Sequence, residues 1–164
     1  MQIIMPVFID DITFASYSLD ALDAVVIELG LHFKLRDLGP TSFLLGIAIT
    51  RDWDAASILL SQRQYCLDIL ERFGMSDCKP VYTPMNPGSR LSASMAAVTP
   101  EDRAFMADKP YGSVVGATMY LATCTRPDIA YTVGVLARFI SNPGRAHWVA
   151  AMHLLRYIKS SADL

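Results

Sequence analysis

Val7-Phe8-Ile9-Asp10-Asp11-Ile12 is the stretch on which the reading of this chain turns. An apolar run from Ile3 to Ile9 meets two adjacent acids, and strand character resumes from Ile12 to Phe14. That order predicts a tight hairpin with carboxylates at its tip. Adjacent carboxylates repel, which raises the cost of ionising both, and a divalent cation relieves the repulsion. Carboxylates hold Mg2+ in two-metal phosphoryl transfer, where the ions activate a hydroxyl and stabilise a leaving pyrophosphate. Asp10 and Asp11 are therefore the candidate catalytic and metal-binding residues. A solvated Asp-Asp turn is the plainer alternative, because turns favour Asp on their own account.

Working outward, Ser18 can cap a helix. Leu19, Leu22, Val25, Val26 and Leu29 follow at helical spacing, and Gly30 suits its C-terminal end. His32 to Arg36 reads as a strand, with Lys34 and Arg36 alternating along it, and a turn follows at Leu38-Gly39-Pro40. Phe43 to Thr50 reads as one strand, Arg51 to Ala56 as a polar turn and Ile58 to Leu60 as the return strand. Ser61 caps a second helix, with Tyr65, Cys66, Ile69, Leu70 and Phe73 on one face and Gly74 at its end. Residues 1–77 thus carry an α+β pattern.

Residues 78–110 hold five of the nine prolines and much Ser and Ala, which predicts an extended, mobile linker with one helical turn at Thr99-Pro100-Glu101-Asp102. Residues 111–164 read as all helix: Tyr111 to Cys124, a second from Pro127 to Ile140, and a third marked by Trp148, Ala151, Leu155 and Ile158.

The 164 residues suffice for a core, and 52% hydrophobic content excludes wholesale disorder. The net charge of −2 argues against a free-standing nucleic-acid binder. It is uneven, with nine basic and fourteen acidic side chains in residues 1–110, against five and two in residues 111–164. Cys66, Cys78 and Cys124 form no CxxC and read as reduced, buried thiols; His32, His147 and His153 form no i, i+4 metal pair. Neither a secretory signal nor a membrane span is apparent, so no membrane partner is expected.

In its context, the hairpin resembles the aromatic-x-Asp-Asp hairpin of reverse transcriptases. The rest of the chain resembles the copia-type long-terminal-repeat retrotransposons. The similar segments, in order, are Phe33 to Pro40, Phe43 to Ile47, Ser61-Gln62 with Tyr65, Cys78 to Val81, and Thr83 to Met85. Tyr111 to Ser113, Thr125 to Ala130, Ser141 to Pro143 with His147-Trp148, and Leu155 to Lys159 complete them. Phe8-Ile9 stands where Tyr-Val is usual before the acids.

The resemblance implies an RNA-directed DNA polymerase within a polyprotein. Residues 1–77 would be the later part of the palm, with antiparallel strands and two helices. Residues 78–110 would be a linker, and 111–164 a helical connection toward a ribonuclease H domain. Asp10 and Asp11 would bind catalytic Mg2+, with template-primer and dNTPs as partners. Leu45 and Gly46 would belong to a primer-holding hairpin, since glycine admits a close nucleic-acid backbone; a bulge is the other reading of Gly46. Lys34 or Arg36 would approach nucleotide phosphates or primer, against the plainer reading as solvated charges. Arg126, Arg138, Arg145, Arg156 and Lys159 could track a template-primer backbone or form an ordinary helix exterior.

Family polymerases need an earlier palm aspartate and fingers, and only nine residues precede Asp10. The expectation is an internal part of a polyprotein, inactive alone, whose partner is the missing palm and fingers. A non-catalytic nucleic-acid or protein binding module and a decayed element without function are the alternatives. The expected location is the cytoplasm, with nuclear or virus-like-particle association for an intact element.

Overall fold

A computed structural model describes residues 2–164, which divide into two compact units, one ending at Ser42 and the other beginning at Phe43. The boundaries read from the sequence lie at 77/78 and 110/111.

The first unit is a hairpin followed by a helix. β1 (Ile3–Ile4) pairs with β4 (Ala15–Ser16), and β2 (Val7–Phe8) pairs with β3 (Asp11–Ile12), all antiparallel. Ile3↔Ser16, Ile4↔Ala15, Val7↔Ile12 and Phe8↔Asp11 keep one register, so this is a single hairpin in two stretches. The interruption falls at Pro6, which has no N–H to donate. Its carbonyl still accepts from Thr13 N at 3.1 Å. α1 (Leu19–Gly30) starts at Ser18, whose Oγ accepts from Ala21 N at 3.3 Å. The helix retains Gly30 and ends at Leu31.

The strand expected at His32–Arg36 does not form. The segment leaves α1 through hydrogen bonds from His32 and Phe33 back to the Leu29 carbonyl, then runs irregularly to Pro40. No strand pairs with it among the described residues, and an isolated strand has nothing to satisfy its backbone. Asp37 Oδ1 accepts from Gly39 N at 2.8 Å, closing the turn before Pro40.

The second unit opens with a three-stranded antiparallel sheet in the order β5 (Phe43–Leu44), β6 (Ile47–Asp52), β7 (Ser57–Ser61). The single strand expected over Phe43–Thr50 is broken at Leu45-Gly46, where φ is +51° and +79°. Two consecutive positive φ values make this a tight two-residue hairpin loop whose hand matches the strand twist. β6 returns through Trp53–Ala56, where Asp52 Oδ1 accepts from Ala55 N at 2.9 Å.

Helices build the core. α2 (Arg63–Arg72) begins after Gln62 rather than Ser61, though the Ser61 hydroxyl does accept from Arg63 N at 3.2 Å. Its end is as predicted: Gly74 has φ +65°, with Gly74 N bonded to Glu71 O and Met75 N to Leu70 O. α3 (Pro100–Met106) is capped by Thr99, whose Oγ1 accepts from Asp102 N at 3.1 Å. α4 (Tyr111–Cys124), α5 (Ala130–Ala137) and α6 (Arg145–Ser160) follow, with a 3-10 turn at Pro127–Ile129 leading into α5. Ile69, Val114, Val115, Leu121, Ile129, Leu136, Leu154, Leu155 and Ile158 are wholly buried between these helices.

The proline-rich stretch expected as a mobile linker is held along α6. Arg156 Nε donates to Lys79 O at 2.6 Å, Lys159 Nζ to Cys78 O at 2.8 Å, and Val81 N to Arg156 O at 3.4 Å. His153 Nε2 lies 2.9 Å from Thr83 O, and His147 Nε2 lies 3.2 Å from Ser92 O. A segment that donates little through its prolines is thus fixed through its carbonyls by side chains of one helix.

Candidate catalytic hairpin

The hairpin tip differs by one residue from the expectation. Ile9 and Asp10 form the turn, while Asp11 lies in β3 opposite Phe8. Cross-strand partners project to the same face, so the Asp11 side chain stands beside the Phe8 ring. Ile9 has φ +55° and is 82% exposed. A β-branched residue is a genuine outlier there, with a strain of about 1–3 kcal/mol. The turn presents Asp10 and Asp11 in succession, both exposed. They are hard oxygen donors, the ligand type a hard divalent cation takes. Among the described residues, no group of three or more His, Cys, Asp or Glu is placed to hold a metal ion.

Lys34 and Arg36, also in the first unit, are exposed on the irregular segment after α1 rather than on a strand. Leu45 and Gly46 belong to the second unit, at the loop joining β5 to β6. The Tyr120 hydroxyl donates to the Leu45 carbonyl, and the Tyr120 ring meets Tyr65 edge-on at 5.2 Å. This clamp joins α4 and α2 to the loop. A Cβ at Gly46 would meet nothing within 4 Å, so the loop is open on that side.

The basic side chains of the helical end are largely engaged within the chain. Arg126 is buried; its Nε and Nη2 bond Asp128 at 2.9 and 2.8 Å, and its Nη1 bonds Ser161 O at 2.9 Å. This guanidinium holds the Asp128 carboxyl below the usual carboxylate range. Arg145 Nε bonds Asp102 at 2.8 Å, and its guanidinium lies 4.1 Å from the Phe105 ring centre. Arg156 and Lys159 hold the 78–81 stretch. Tyr157 donates to Asp128 at 3.0 Å, and Trp148 packs against the core, as structural aromatics do.

His147 and Gly144, which the sequence did not single out as a pair, form the start of α6. Gly144 N donates to His147 Nδ1 at 2.9 Å, and the ring stacks on Phe139 at 4.1 Å. Burial pushes the His147 pKa down. The cysteines are free, with Cys66 buried, Cys78 half-buried and Cys124 exposed, so the buried reading holds for Cys66 alone. Burial pushes its thiol pKa up. No helix among the described residues is long and apolar enough to cross a membrane.

The family model for reverse transcriptase (RNA-dependent DNA polymerase) matches residues 1–87, which include the hairpin and the β5–β6 loop. The chain belongs to the reverse transcriptase family. It is 40% identical over 159 residues to the retrovirus-related Pol polyprotein from transposon TNT 1-94 of Nicotiana tabacum, covering 97% of this chain and 12% of that protein. It is 35% identical over 154 residues to an uncharacterized mitochondrial protein of Arabidopsis thaliana, covering 94% of this chain and 60% of that one. The Pol polyprotein from transposon RE1 of the same plant is 34% identical over 159 residues, covering 97% of this chain and 10% of that protein. No solved structure matches. This reverse-transcriptase chain thus spans a small part of the Pol polyproteins it resembles. The family expected from the Asp-Asp hairpin and the ordered segments after it is the one found.

Two features of this family member escaped the sequence reading. The strain at Ile9 had one signal: a two-residue loop between apolar strands forces unusual φ values on whatever residue occupies it. The Tyr120 clamp had none, since its partner is a carbonyl 75 residues away.

Proposed function

We infer that the chain forms the later palm and the helical connection of a copia-type retrotransposon reverse transcriptase, and that Asp10 and Asp11 are two of its metal-holding carboxylates. One observation carries this reading: the strained Ile9-Asp10 tip presents two successive exposed carboxylates inside the segment matched by the family. Their donor chemistry suits Mg2+. Bound there, the cations would activate a primer hydroxyl and neutralise charge on the leaving pyrophosphate. The substrates are dNTPs and an RNA or DNA template-primer. The Leu45-Gly46 loop, clamped by Tyr120 and open at Gly46, would lie against the primer backbone; the open space at Gly46 supports this. Lys34 and Arg36 are the nearest basic residues in sequence to the hairpin and supply positive charge toward phosphates.

Two carboxylates on one hairpin leave the donor set incomplete, so catalysis needs a further carboxylate from another palm segment of the polyprotein. The intact element works in the cytoplasm, with particle or nuclear association. A nucleic-acid-tracking role for the helical end has less support, because Arg126, Arg145, Arg156 and Lys159 already bond within the chain.

Primer extension tests the reading. The purified chain, given template-primer, dNTPs and Mg2+, is expected to incorporate nothing. Adding a polypeptide that carries the palm and fingers segments should allow incorporation, and Asp10→Asn or Asp11→Asn should abolish it. Unaided incorporation that Asp10→Asn removes would overturn the incomplete site. Complemented incorporation that survives both substitutions would overturn the assignment of the two acids.

A further inference from the structure

Leu45 lies just beyond the Leu44↔Ile47 pair that ends the β5–β6 ladder. Its carbonyl is outside that ladder, and β5 is only two residues long, so the strands place the loop weakly. Leu45 also has φ +51°, a conformation leucine rarely takes, and is 44% exposed. What meets its carbonyl is the Tyr120 hydroxyl, from a helix 75 residues later.

Tyr120 is itself rigidly mounted. Thr118 and Leu121, its near neighbours on α4, are wholly buried. Its ring meets that of Tyr65 on α2 at an interplanar angle of 87°. Thr125 Oγ1 donates to Gln62 Oε1 at 2.8 Å, tying the end of α4 to the start of α2. Burial, and then the Cys124 thiol one turn on, push the Tyr120 pKa up, so the hydroxyl keeps the proton it donates. The bond to Leu45 is exposed, and water competes for both groups, so it adds little to folding. Its effect is on where the loop sits relative to α2 and α4.

We propose that Tyr120 is a positioning residue for the primer, its hydroxyl fixing the Leu45-Gly46 loop to α2 and α4 so that the open side of Gly46 would meet the primer backbone. This role rests on the polymerase function proposed for the chain. Tyr120 acts through the loop and on no reacting group. A loop released from it would present Gly46 correctly for only part of the time, and primer affinity falls by that fraction.

Tyr120→Phe tests this, because it keeps the ring against Tyr65 and removes only the hydroxyl. Thr123→Ala is the control: its hydroxyl bonds the Met119 and Tyr120 carbonyls within α4, away from the loop. In the full chain, NMR order parameters of the Leu45 and Gly46 amides should fall in Tyr120→Phe and hold in Thr123→Ala. In the extension assay complemented with the palm and fingers segments, Tyr120→Phe should raise the template-primer KM by about 5-fold, the loss of one hydrogen bond, with kcat unchanged. Thr123→Ala should change neither constant. Unmoved order parameters in Tyr120→Phe overturn the positioning role whatever the extension assay gives. A loosened loop with an unchanged KM, or a fall in kcat alone, overturns the link to the primer. Incorporation that survives Asp10→Asn and Asp11→Asn counts instead against the assignment of the two acids, and a silent complemented mixture overturns the polymerase reading together with the role that rests on it.

Discussion

Gly144→Ala is the substitution whose cost the structure defines most sharply. Gly144 precedes α6 with φ −117°, which any residue adopts, so the issue is space. A Cβ there would lie 1.9 Å from the Met95 carbonyl oxygen, 3.0 Å from its carbon and 3.1 Å from the Ala96 carbonyl carbon. These are backbone atoms of the 3-10 turn at Ala93–Met95 and the residue after it, so no side chain can swing aside. The turn must move away by more than about 1 Å, at an overpacking cost of roughly 1–3 kcal/mol. That displacement also pulls on the part-buried contact between His147 Nε2 and Ser92 O at 3.2 Å, and losing that hydrogen bond adds roughly 1 kcal/mol. The sum is about 3 kcal/mol, which for a chain of this size lowers Tm by roughly 6–12 °C. Gly134 in α5 is the control, since a Cβ there meets nothing within 4 Å. Gly134→Ala should stabilise by about 0.5–1 kcal/mol. Urea and thermal unfolding followed by circular dichroism measure both. A Gly144→Ala protein within 0.5 kcal/mol of the parent, by the ordinary scatter of surface substitutions, would refute the close approach of the turn to α6.

Two further predictions concern buried polar groups. Arg126→Met removes the guanidinium from Asp128 and Ser161, leaving Asp128 with the Tyr157 hydroxyl and Ser161 O with Leu164 N, and should destabilise by about 1–3 kcal/mol, read from urea midpoints. Because Arg126 depresses the Asp128 pKa below 3.8, that stability is present above 3.8 and is lost as pH falls through the lower folded value. Asp128→Asn should flatten this acid limb; an unchanged limb counts against the pairing. His147 has its pKa depressed below 6.5 by burial, so its contribution is present above 6.5 and is lost as pH falls from there through the folded value. Unfolding at pH 7, 6 and 5 should show a decline that His147→Asn diminishes, and equal slopes in the two proteins would contradict it.

The helical elements were largely legible because their signals are local. Ser18 and the spacing of Leu19 to Leu29 specify α1 within a dozen residues, and Gly74 specifies the end of α2 in the same way. The third helix, read from Trp148, starts at Arg145, since Gly144 and His147 close its first turn through a histidine cap that no common pattern announces. Strands were less legible because a strand exists only with a partner. Lys34 and Arg36 alternate as strand residues do, yet nothing pairs with them among the described residues. At Leu45-Gly46 the break was hidden because leucine rarely enters a loop with positive φ. Ile9 hid the hairpin tip in the same manner. The engagement of Arg126 was beyond any local reading, because Ser161 lies 35 residues away.

These two misread turns share a cause that bears on function. Both put a large apolar residue where glycine or asparagine would relieve strain, and both lie at positions assigned to chemistry: Ile9 before the acids and Leu45 in the proposed primer-facing loop. Local propensity and observed conformation conflict at those points, and such conflicts concentrate at sites selected for something other than stability. The distribution of burial supports the same view. Val7, Phe8 and Ile12 are 56%, 52% and 38% exposed, whereas Leu121, Leu136, Leu154 and Leu155 are wholly buried. The helices of the second unit therefore hold the stability, and the acid-bearing hairpin contributes little to it. Strain at Ile9 is tolerable only where neighbouring structure over-determines the turn. Under the proposed function, the uncovered apolar residues of the hairpin are the surface that other palm segments would cover, and their packing would over-determine the turn. The same segments would supply the carboxylate that Asp10 and Asp11 lack.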